Sequence, residues 1–144
     1  MTVLPARRRM QTAADGAIRL HAPAKINLDL HVAPRRADGF HPIDSLVVKV
    51  TFYDEIELAA RDDGRIAFTV SGADCGPDEH NLACRAAEML RTRAGAADGA
   101  DVRLTKHIPP GGGLGGGSSD AAAVLEGLNA LWKLHLPREA LVEI

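Results

Sequence analysis

Six of the seven residues from Gly111 to Gly117 are glycine, and this run constrains the chain more than any other sequence feature. Composition alone is typical of a flexible linker. The flanks favour another interpretation, because Pro109-Pro110 ends an apolar strand pattern and Ser118-Ser119-Asp120 follows as the N-cap signal of a helix. A glycine loop between a strand and a helix N-terminus binds phosphate, since bare backbone N–H groups and the helix dipole both face the anion. We therefore predict a phosphate-binding loop.

Two common nucleotide-binding motifs do not fit this loop. A Walker loop needs lysine directly after its last glycine, where this chain has Ser118. The pattern G-x-G-x-x-G matches at Gly111, Gly113 and Gly116, but so dense a run matches almost any glycine pattern. A Rossmann site also needs an acidic residue at the end of the following strand, and the sequence around Leu131 is still helical. The loop is therefore of a different kind.

Composition excludes several classes of protein. At 144 residues, with 46% hydrophobic and 25% charged residues, the chain matches one globular domain. The net charge of −2 gives no basic surplus for nucleic acid or anionic membranes, and 3% aromatic residues are too few for a base-stacking platform. Two cysteines make no disulfide framework, and no apolar run approaches the length of a membrane span. We expect a cytoplasmic protein that binds neither nucleic acid nor membranes.

Hydrophobic periodicity predicts an α+β fold, with a mostly antiparallel sheet and helices packed on one face. Residues 25–32 alternate polar and apolar, which predicts a half-buried strand with Lys25 and Asn27 on one face. Further strands are expected at residues 43–51, 55–60, 65–71 and 102–108. Helices are expected from the Asn81 cap to Gly95, over residues 121–134, and from Pro137 onward. Residues 1–17 are expected to be a flexible N-terminus, and residues 18–144 one domain.

Three motifs, in order along the chain, carry a resemblance to a known family. The string Pro109-x-x-x-Gly113-Leu114-Gly115-x-x-Ser118-Ser119 resembles the phosphate motif of the GHMP kinases. Together with residues 23–28 (PAKINL) and 36–41 (RADGFH), it is similar to the 4-diphosphocytidyl-2-C-methyl-D-erythritol kinase family of the non-mevalonate isoprenoid route. The resemblance implies the N-terminal domain of a GHMP kinase, which transfers the γ-phosphoryl group of ATP, with Mg²⁺, to a hydroxyl of a small-molecule substrate.

The same resemblance implies roles for individual residues. Lys25 matches the family lysine beside the acceptor hydroxyl. Asn27 matches a substrate contact, and Phe40-His41 matches a pair that recognises cytosine, with Phe in place of the usual Tyr. The metal ligands are not implied by the resemblance, and Ser119 and Asp120 are candidates because of their position beside the glycine loop. The implied nucleotide-binding residues are Pro109, Gly111, Gly112, Gly113, Leu114, Gly115, Gly116, Gly117, Ser118, Ser119, Asn81, Leu82 and Lys106.

Simpler structural roles stay open for several of these residues. Lys25 could be an ordinary surface lysine, and Lys106 a solvated strand end. Asn81 is equally well explained as a helix cap. Phe40 on its own would be a core residue, and His41 a histidine in a turn.

The sequence also departs from the family pattern. The family's general base is an aspartate in a Gly-Ala-Asp-like segment shortly after the third helix, and the chain ends at Ile144 before any such segment. The family's C-terminal domain is missing too. We therefore expect an N-terminal portion of a longer kinase, or a truncated copy, that is weak or inactive alone. The alternatives are a nucleotide-binding fragment without activity, or another GHMP kinase acting on a different small alcohol.

Overall fold

The structure is a computed structural model that describes residues 10–77 and 80–144. Six strands come first, followed by a helix, a seventh strand and two more helices. The strands are β1 (Met10–Thr12), β2 (Ile18–Asn27), β3 (His31–Val32), β4 (Ile43–Asp44), β5 (Val47–Arg61), β6 (Ile66–Gly72) and β7 (Gly99–Lys106). The helices are α1 (Leu82–Ala94), α2 (Gly116–Leu131) and α3 (Arg138–Val142).

The main sheet has the order β1-β2-β5-β7-β6, and all its neighbours are antiparallel except β6 and β7. The prediction of a mostly antiparallel α+β sheet is confirmed. The parallel pair arises because α1 connects β6 to β7, and a parallel neighbour needs such a crossover. This crossover places β7 between β5 and β6, so that the residues after Lys106 leave from the interior of the sheet.

The core lies between the sheet and helix α2. Alternate residues of β2, β5 and β7 face the helix, and Leu20, Leu58 and Val102 are at most 1% exposed. Gly127 of α2 allows the close approach, because a Cβ there would stand 2.3 Å from Leu58 Cδ1 and 2.9 Å from Leu20 Cδ1. The C-terminal half of the helix is therefore seated closely on the sheet.

The predicted strand over residues 25–32 is wrong in extent. β2 begins at Ile18 and ends at Asn27, while β3 belongs to a separate two-stranded sheet with β4. Leu28 and Leu30 are 59% and 52% exposed, so the alternation does not mark a buried face there. The two strands predicted at residues 43–51 and 55–60 largely merge into the single long strand β5.

The predicted helices are confirmed in position, but their bounds need correction. Helix α2 ends at Leu131 rather than Leu134, and α3 ends at Val142 rather than reaching Ile144. In α1, the Asn81 side chain caps the Ala83 N–H, and Gly95 ends the helix in the left-handed region at φ 60°. Helix α2 begins at Gly116 rather than Ala121, and its N-cap is Gly115, without a side-chain cap bond. The N-cap prediction for residues 118–120 is wrong because these residues already lie inside the helix. Helix α3 begins after Pro137, as the sequence predicts.

The structure describes only part of the segment 1–17, which the sequence predicts to be a flexible N-terminus. Residues 1–9 lie outside the described residues, so flexibility there stays a prediction. Met10–Thr12 differ from it, because they pair as an edge strand with residues 18–20. No helix in the described ranges is long and apolar enough to cross a membrane.

Candidate active site

The glycine run curls between the end of β7 and the start of α2 and encloses one side of a cavity of about 300 Å³. Every nucleotide-binding residue implied by the resemblance lines this cavity, with the exception of Ser119. Cys75, His80, Ile108, Pro110 and Asp120 complete the lining. The structure thus brings the loop, the start of α1 and the end of β7 to one place.

The loop needs glycine for two separate reasons. Gly111, Gly113 and Gly115 have φ between 70° and 75°, in the left-handed region that L side chains rarely adopt. Space is limiting at the last two positions of the turn into α2. A Cβ on Gly115 would stand 3.0 Å from Lys25 Cγ, and one on Gly116 would stand 3.0 Å from Ile108 Cγ2. The backbone of the loop therefore lies directly against β2 and the end of β7.

A buried ion cluster lies at the base of this cavity. The Lys106 ammonium donates to Asp54 Oδ2 at 2.5 Å and to Asp120 Oδ2 at 2.7 Å. All three side chains are at most 4% exposed. The interpretation of Lys106 as a solvated strand end is therefore wrong. Lys106 is a cation held between a carboxylate of β5 and a carboxylate of α2.

The cluster is buried and has one cation for two carboxylates, and these features shift the pKa values of Lys106 and Asp120. Burial lowers the pKa of Lys106, but the hydrogen bonds to Asp120 and Asp54 outweigh burial and raise it overall, so Lys106 stays charged. Burial and the neighbouring Asp54 charge raise the pKa of Asp120 to about 7, against the opposing effect of Lys106. Asp120 Oδ1 is buried and has no hydrogen-bond partner within the described part of the chain.

Sequence reasoning missed Asp54. Its Oδ1 accepts hydrogen bonds from the backbone N–H groups of His107, at 2.6 Å, and Ile108, at 2.8 Å. A signal was present, because Asp54 shares strand parity with Ile56 and Leu58, which are buried against the helices. An aspartate in phase with a buried apolar face needs a buried partner.

Lys25 lies on the opposite side of the glycine loop. Its backbone N–H donates to Leu114 O at 2.9 Å, next to a shift in the β2–β5 register between Pro23 and Lys25. Its ammonium donates to Asn27 Oδ1 at 2.7 Å. Lys25 is half-buried at the edge of the loop.

The orientation of the Asn27 amide follows from its other partner. Asn27 Nδ2 donates to Ser45 Oγ at 2.9 Å, and that hydroxyl donates its own proton to Asp29 O. Since the Ser45 hydroxyl can then only accept, the amide presents its oxygen to Lys25. A chain of hydrogen bonds in one direction therefore links Lys25 to the loops around β3 and β4.

The predicted cytosine-binding pair lies elsewhere. Phe40 and His41 fall in the connection between β3 and β4 and do not line the glycine-loop cavity. Phe40 is 75% exposed, so the interpretation as a core residue is wrong. The His41 ring is hydrogen-bonded through Nδ1 to Ala33 O at 3.0 Å. The structure therefore places this pair on an open surface, apart from the predicted nucleotide residues.

The predicted metal ligands differ in position. Asp120 lines the cavity, whereas the Ser119 N–H is hydrogen-bonded to Gly115 O in the first turn of α2. Within residues 10–77 and 80–144, no group of three or more His, Cys, Asp or Glu side chains could hold a metal ion. Among the described residues, the buried carboxylate oxygen without a hydrogen-bond partner at this cavity is Asp120 Oδ1.

Comparison with known proteins confirms the resemblance seen in the motifs. Residues 81–144 match the family model for the GHMP kinases N terminal domain. A 4-diphosphocytidyl-2-C-methyl-D-erythritol kinase of Paraburkholderia phytofirmans is 47% identical over 117 residues, which cover 81% of this chain and 40% of that protein. The enzyme of the same name from Chromobacterium violaceum is 49% identical over 120 residues, covering 83% and 42%.

Solved structures agree with this grouping. A crystal structure of 4-(cytidine 5'-diphospho)-2C-methyl-D-erythritol kinase superposes with a TM-score of 0.76 at 38% identity, over 87% of this chain and 44% of that one. A homoserine kinase from Cytophaga hutchinsonii, at 22% identity and a TM-score of 0.61, shares the fold over 94% of this chain and 41% of that one. The chain therefore spans less than half the length of the relatives it matches.

Proposed function

We propose that this chain, which has the fold of a GHMP kinase N-terminal domain, supplies the nucleotide-binding part of a kinase that phosphorylates a hydroxyl of 4-diphosphocytidyl-2-C-methyl-D-erythritol. The proposal assigns ATP as phosphoryl donor and a step in non-mevalonate isoprenoid synthesis. The observation that carries it is the glycine-loop cavity, in which open backbone at the N-terminus of α2 adjoins Lys25. The cytoplasmic location expected from the sequence stays a prediction.

Phosphoryl transfer depends on positioning and on charge stabilisation rather than on covalent chemistry of the protein. In this proposal the N–H groups of residues 111–117 and the N-terminus of α2 bind the nucleotide phosphates. Their arrangement is held in advance by the left-handed glycines and by the contact of the Lys25 N–H with Leu114 O. The γ-phosphoryl group would then lie at the edge of the loop that faces β2.

The two lysines of the site differ in the charge that they can offer to substrate. Lys106 is bonded to two carboxylates, so its charge is already compensated. The Lys25 ammonium donates to a neutral amide oxygen, which leaves its charge uncompensated by that partner. Lys25 is therefore the lysine suited to stabilising negative charge on the transferred phosphoryl group or on the acceptor oxygen.

The acceptor would approach from the side of Asn27 and Lys25. Asn27 is exposed next to Lys25, as a substrate contact requires. Phe40 presents an exposed ring, which suits stacking on a cytosine base, although it lacks the hydroxyl of the usual tyrosine. These features favour the cytidyl substrate over a plain alcohol.

Among the described residues, Asp120 fits a Mg²⁺ ion. Magnesium is usually held by one or two carboxylates together with substrate phosphates, rather than by a cage of protein ligands. Asp120 Oδ1 is buried, lacks a partner in the described chain and belongs to a residue that lines the cavity. When bound with the nucleotide, the ion would supply charge neutralisation for the phosphates.

The test uses two measurements on the purified 144-residue chain. Calorimetric titration with a non-hydrolysable ATP analogue and Mg²⁺ is expected to show binding. A polyphosphate without the nucleoside is the control that measures binding through the phosphates alone. Phosphotransfer from ATP to the cytidyl substrate is expected near background, because the family's aspartate base is not among these residues.

Three outcomes would change this account. Absence of nucleotide binding would contradict the proposed function. Turnover by the 144-residue chain, abolished in Lys25→Ala, would overturn the expectation that the chain is weak or inactive alone. Equal phosphorylation of plain polyols, by a polypeptide that extends to the full length of the relatives, would favour another GHMP kinase.

A further inference from the structure

We propose that Asp54 is a positioning residue for nucleotide binding, and that its carboxylate fixes the end of β7 and thereby the start of the glycine loop and of α2. The proposal rests on the proposed function only in identifying the ligand as a nucleotide. It concerns a residue that the sequence motifs do not include.

Asp54 lies just beyond the end of the β5–β7 ladder. That ladder ends at the pair Glu55 and Thr105, so the residues that follow Thr105 are no longer paired with β5. The N–H groups of His107 and Ile108 would be left unpaired there, and Ile108 is only 1% exposed. Asp54 Oδ1 accepts both hydrogen bonds. One carboxylate oxygen thus serves as the acceptor that the backbone of a neighbouring strand would otherwise provide, at the point where the chain turns into the loop.

Asp54 is also connected to helix α2 through Lys106. Asp54 Oδ2 accepts from Lys106, whose ammonium also bonds Asp120 in the second turn of α2. The first residue of α2 rests on the same groups, because a Cβ on Gly116 would lie 3.0 Å from Ile108 Cγ2 and 3.2 Å from Lys106 Nζ. A shift of Ile108 or Lys106 would therefore displace the start of the helix.

Asp54 acts on the nucleotide site through other residues and does not contact the ligand itself. Asp54 does not line the cavity, and its side chain is fully buried. A carboxylate in contact with phosphate would repel it, so Asp54 can favour nucleotide binding only through the groups that it holds. The interaction that fixes the start of the loop is the acceptor Oδ1 facing two backbone N–H groups, and the bond of Oδ2 to Lys106 adds the link to α2.

This distinction defines the experiment. Asp54→Asn keeps an oxygen for both backbone bonds, but it removes the charge and turns an amide N–H₂ donor toward Lys106 in place of Oδ2. Asp54→Glu keeps the charge and displaces both oxygens by one methylene. We expect the affinity of the 144-residue chain for the non-hydrolysable ATP analogue to stay within about threefold in Asp54→Asn and to fall about tenfold in Asp54→Glu. Leu90→Ala, in the buried face of α1, is the control for general destabilisation and is expected to leave affinity unchanged.

Amide hydrogen exchange supplies a readout that does not depend on nucleotide. Exchange at His107 and Ile108 is expected to be slow in the wild type and in Asp54→Asn, and faster in Asp54→Glu. Nucleotide affinity that falls equally in both variants, or falls more in Asp54→Asn, would overturn the proposal. If the wild type bound no nucleotide, the proposed function would fail, while unchanged exchange at His107 and Ile108 in Asp54→Glu would separately refute the positioning role.

Discussion

The two sides of the candidate site are built in different ways. On the nucleotide side, Asp54, Lys106 and Asp120 form a buried cluster beneath a glycine loop whose backbone is held from two directions. On the acceptor side, the connection from residue 28 to residue 46 (the β3–β4 arm) exposes Phe40 at 75% and Leu46 at 61%. Buried ion pairs and close packing stabilise the nucleotide side, whereas solvent-exposed hydrogen bonds stabilise the arm. Substitutions should therefore affect stability and binding together on the first side, and binding alone on the second.

The largest expected effect comes from removing the cation of the nucleotide side. Lys106→Met leaves two buried carboxylates without their shared cation, which we expect to lower the free energy of unfolding by about 3–5 kcal/mol. Chemical denaturation measures the change. Lys49→Met, at an exposed position of β5, is the control and should change stability by less than about 0.5 kcal/mol. Equal effects of the two substitutions would show that the buried cluster does not stabilise the nucleotide side.

A pair of loop glycines separates backbone strain from contact with Lys25. Gly113→Ala and Gly115→Ala each place a side chain at φ 70°, at a cost of about 1–2 kcal/mol. A Cβ at position 113 meets no atom within 4 Å, whereas one at position 115 meets Lys25 Cγ at 3.0 Å. We expect similar losses of stability but weaker nucleotide binding in Gly115→Ala. Equal nucleotide affinities in calorimetry would show that the contact between loop and Lys25 does not matter.

A smaller effect is expected in the dependence of stability on pH. The folded-state pKa of Asp120 is raised to about 7, so the native state keeps a proton that the unfolded chain has already released. Its contribution to stability is therefore lost as pH rises between about 4 and 7, and is constant above that. Asp120→Asn, measured by urea unfolding in a chelator, should lose less stability across this range. Parallel pH profiles of the two proteins would contradict the raised pKa.

The smallest effect on stability is expected on the acceptor side. Phe40→Ala removes a ring that is 75% exposed, so the free energy of unfolding should change by less than about 0.5 kcal/mol. Affinity for a CDP-bearing ligand should fall about threefold to tenfold, because a stacking contact is lost. Phe40→Tyr is the matched variant and should bind at least as well as the wild type. A large loss of stability in Phe40→Ala would show that the arm is not independent of the core.

The same contrast explains how much could be predicted from the sequence. Helix α1 was predicted from Asn81 to Gly95 because local capping groups define both ends. The glycine loop was located for a similar reason, since its flanking strand and helix are encoded next to it. Local signals therefore account for the elements and for the place of the cavity.

Long-range pairing explains what was missed. Asp54 and Lys106 are far apart in sequence and meet only because β5 and β7 are neighbours in the sheet. Ser118-Ser119-Asp120 resembles an N-cap, but the Asp120 side chain is bonded to Lys106 instead of to the start of its helix. The alternation at residues 25–32 predicted a buried face, although Leu28 and Leu30 are exposed. In each case the position of the residue depends on which distant residues pack against it, and the local sequence pattern does not contain that information.

The most direct test of the account is a nuclear magnetic resonance titration of the isotope-labelled 144-residue chain with a non-hydrolysable ATP analogue and Mg²⁺. We expect the backbone amide signals of residues 111–118 and of Lys106 to shift together with one affinity, while those of the β3–β4 arm stay in place. Absence of shifts in the glycine loop, or shifts confined to the arm, would contradict the assignment of this loop as the nucleotide phosphate site.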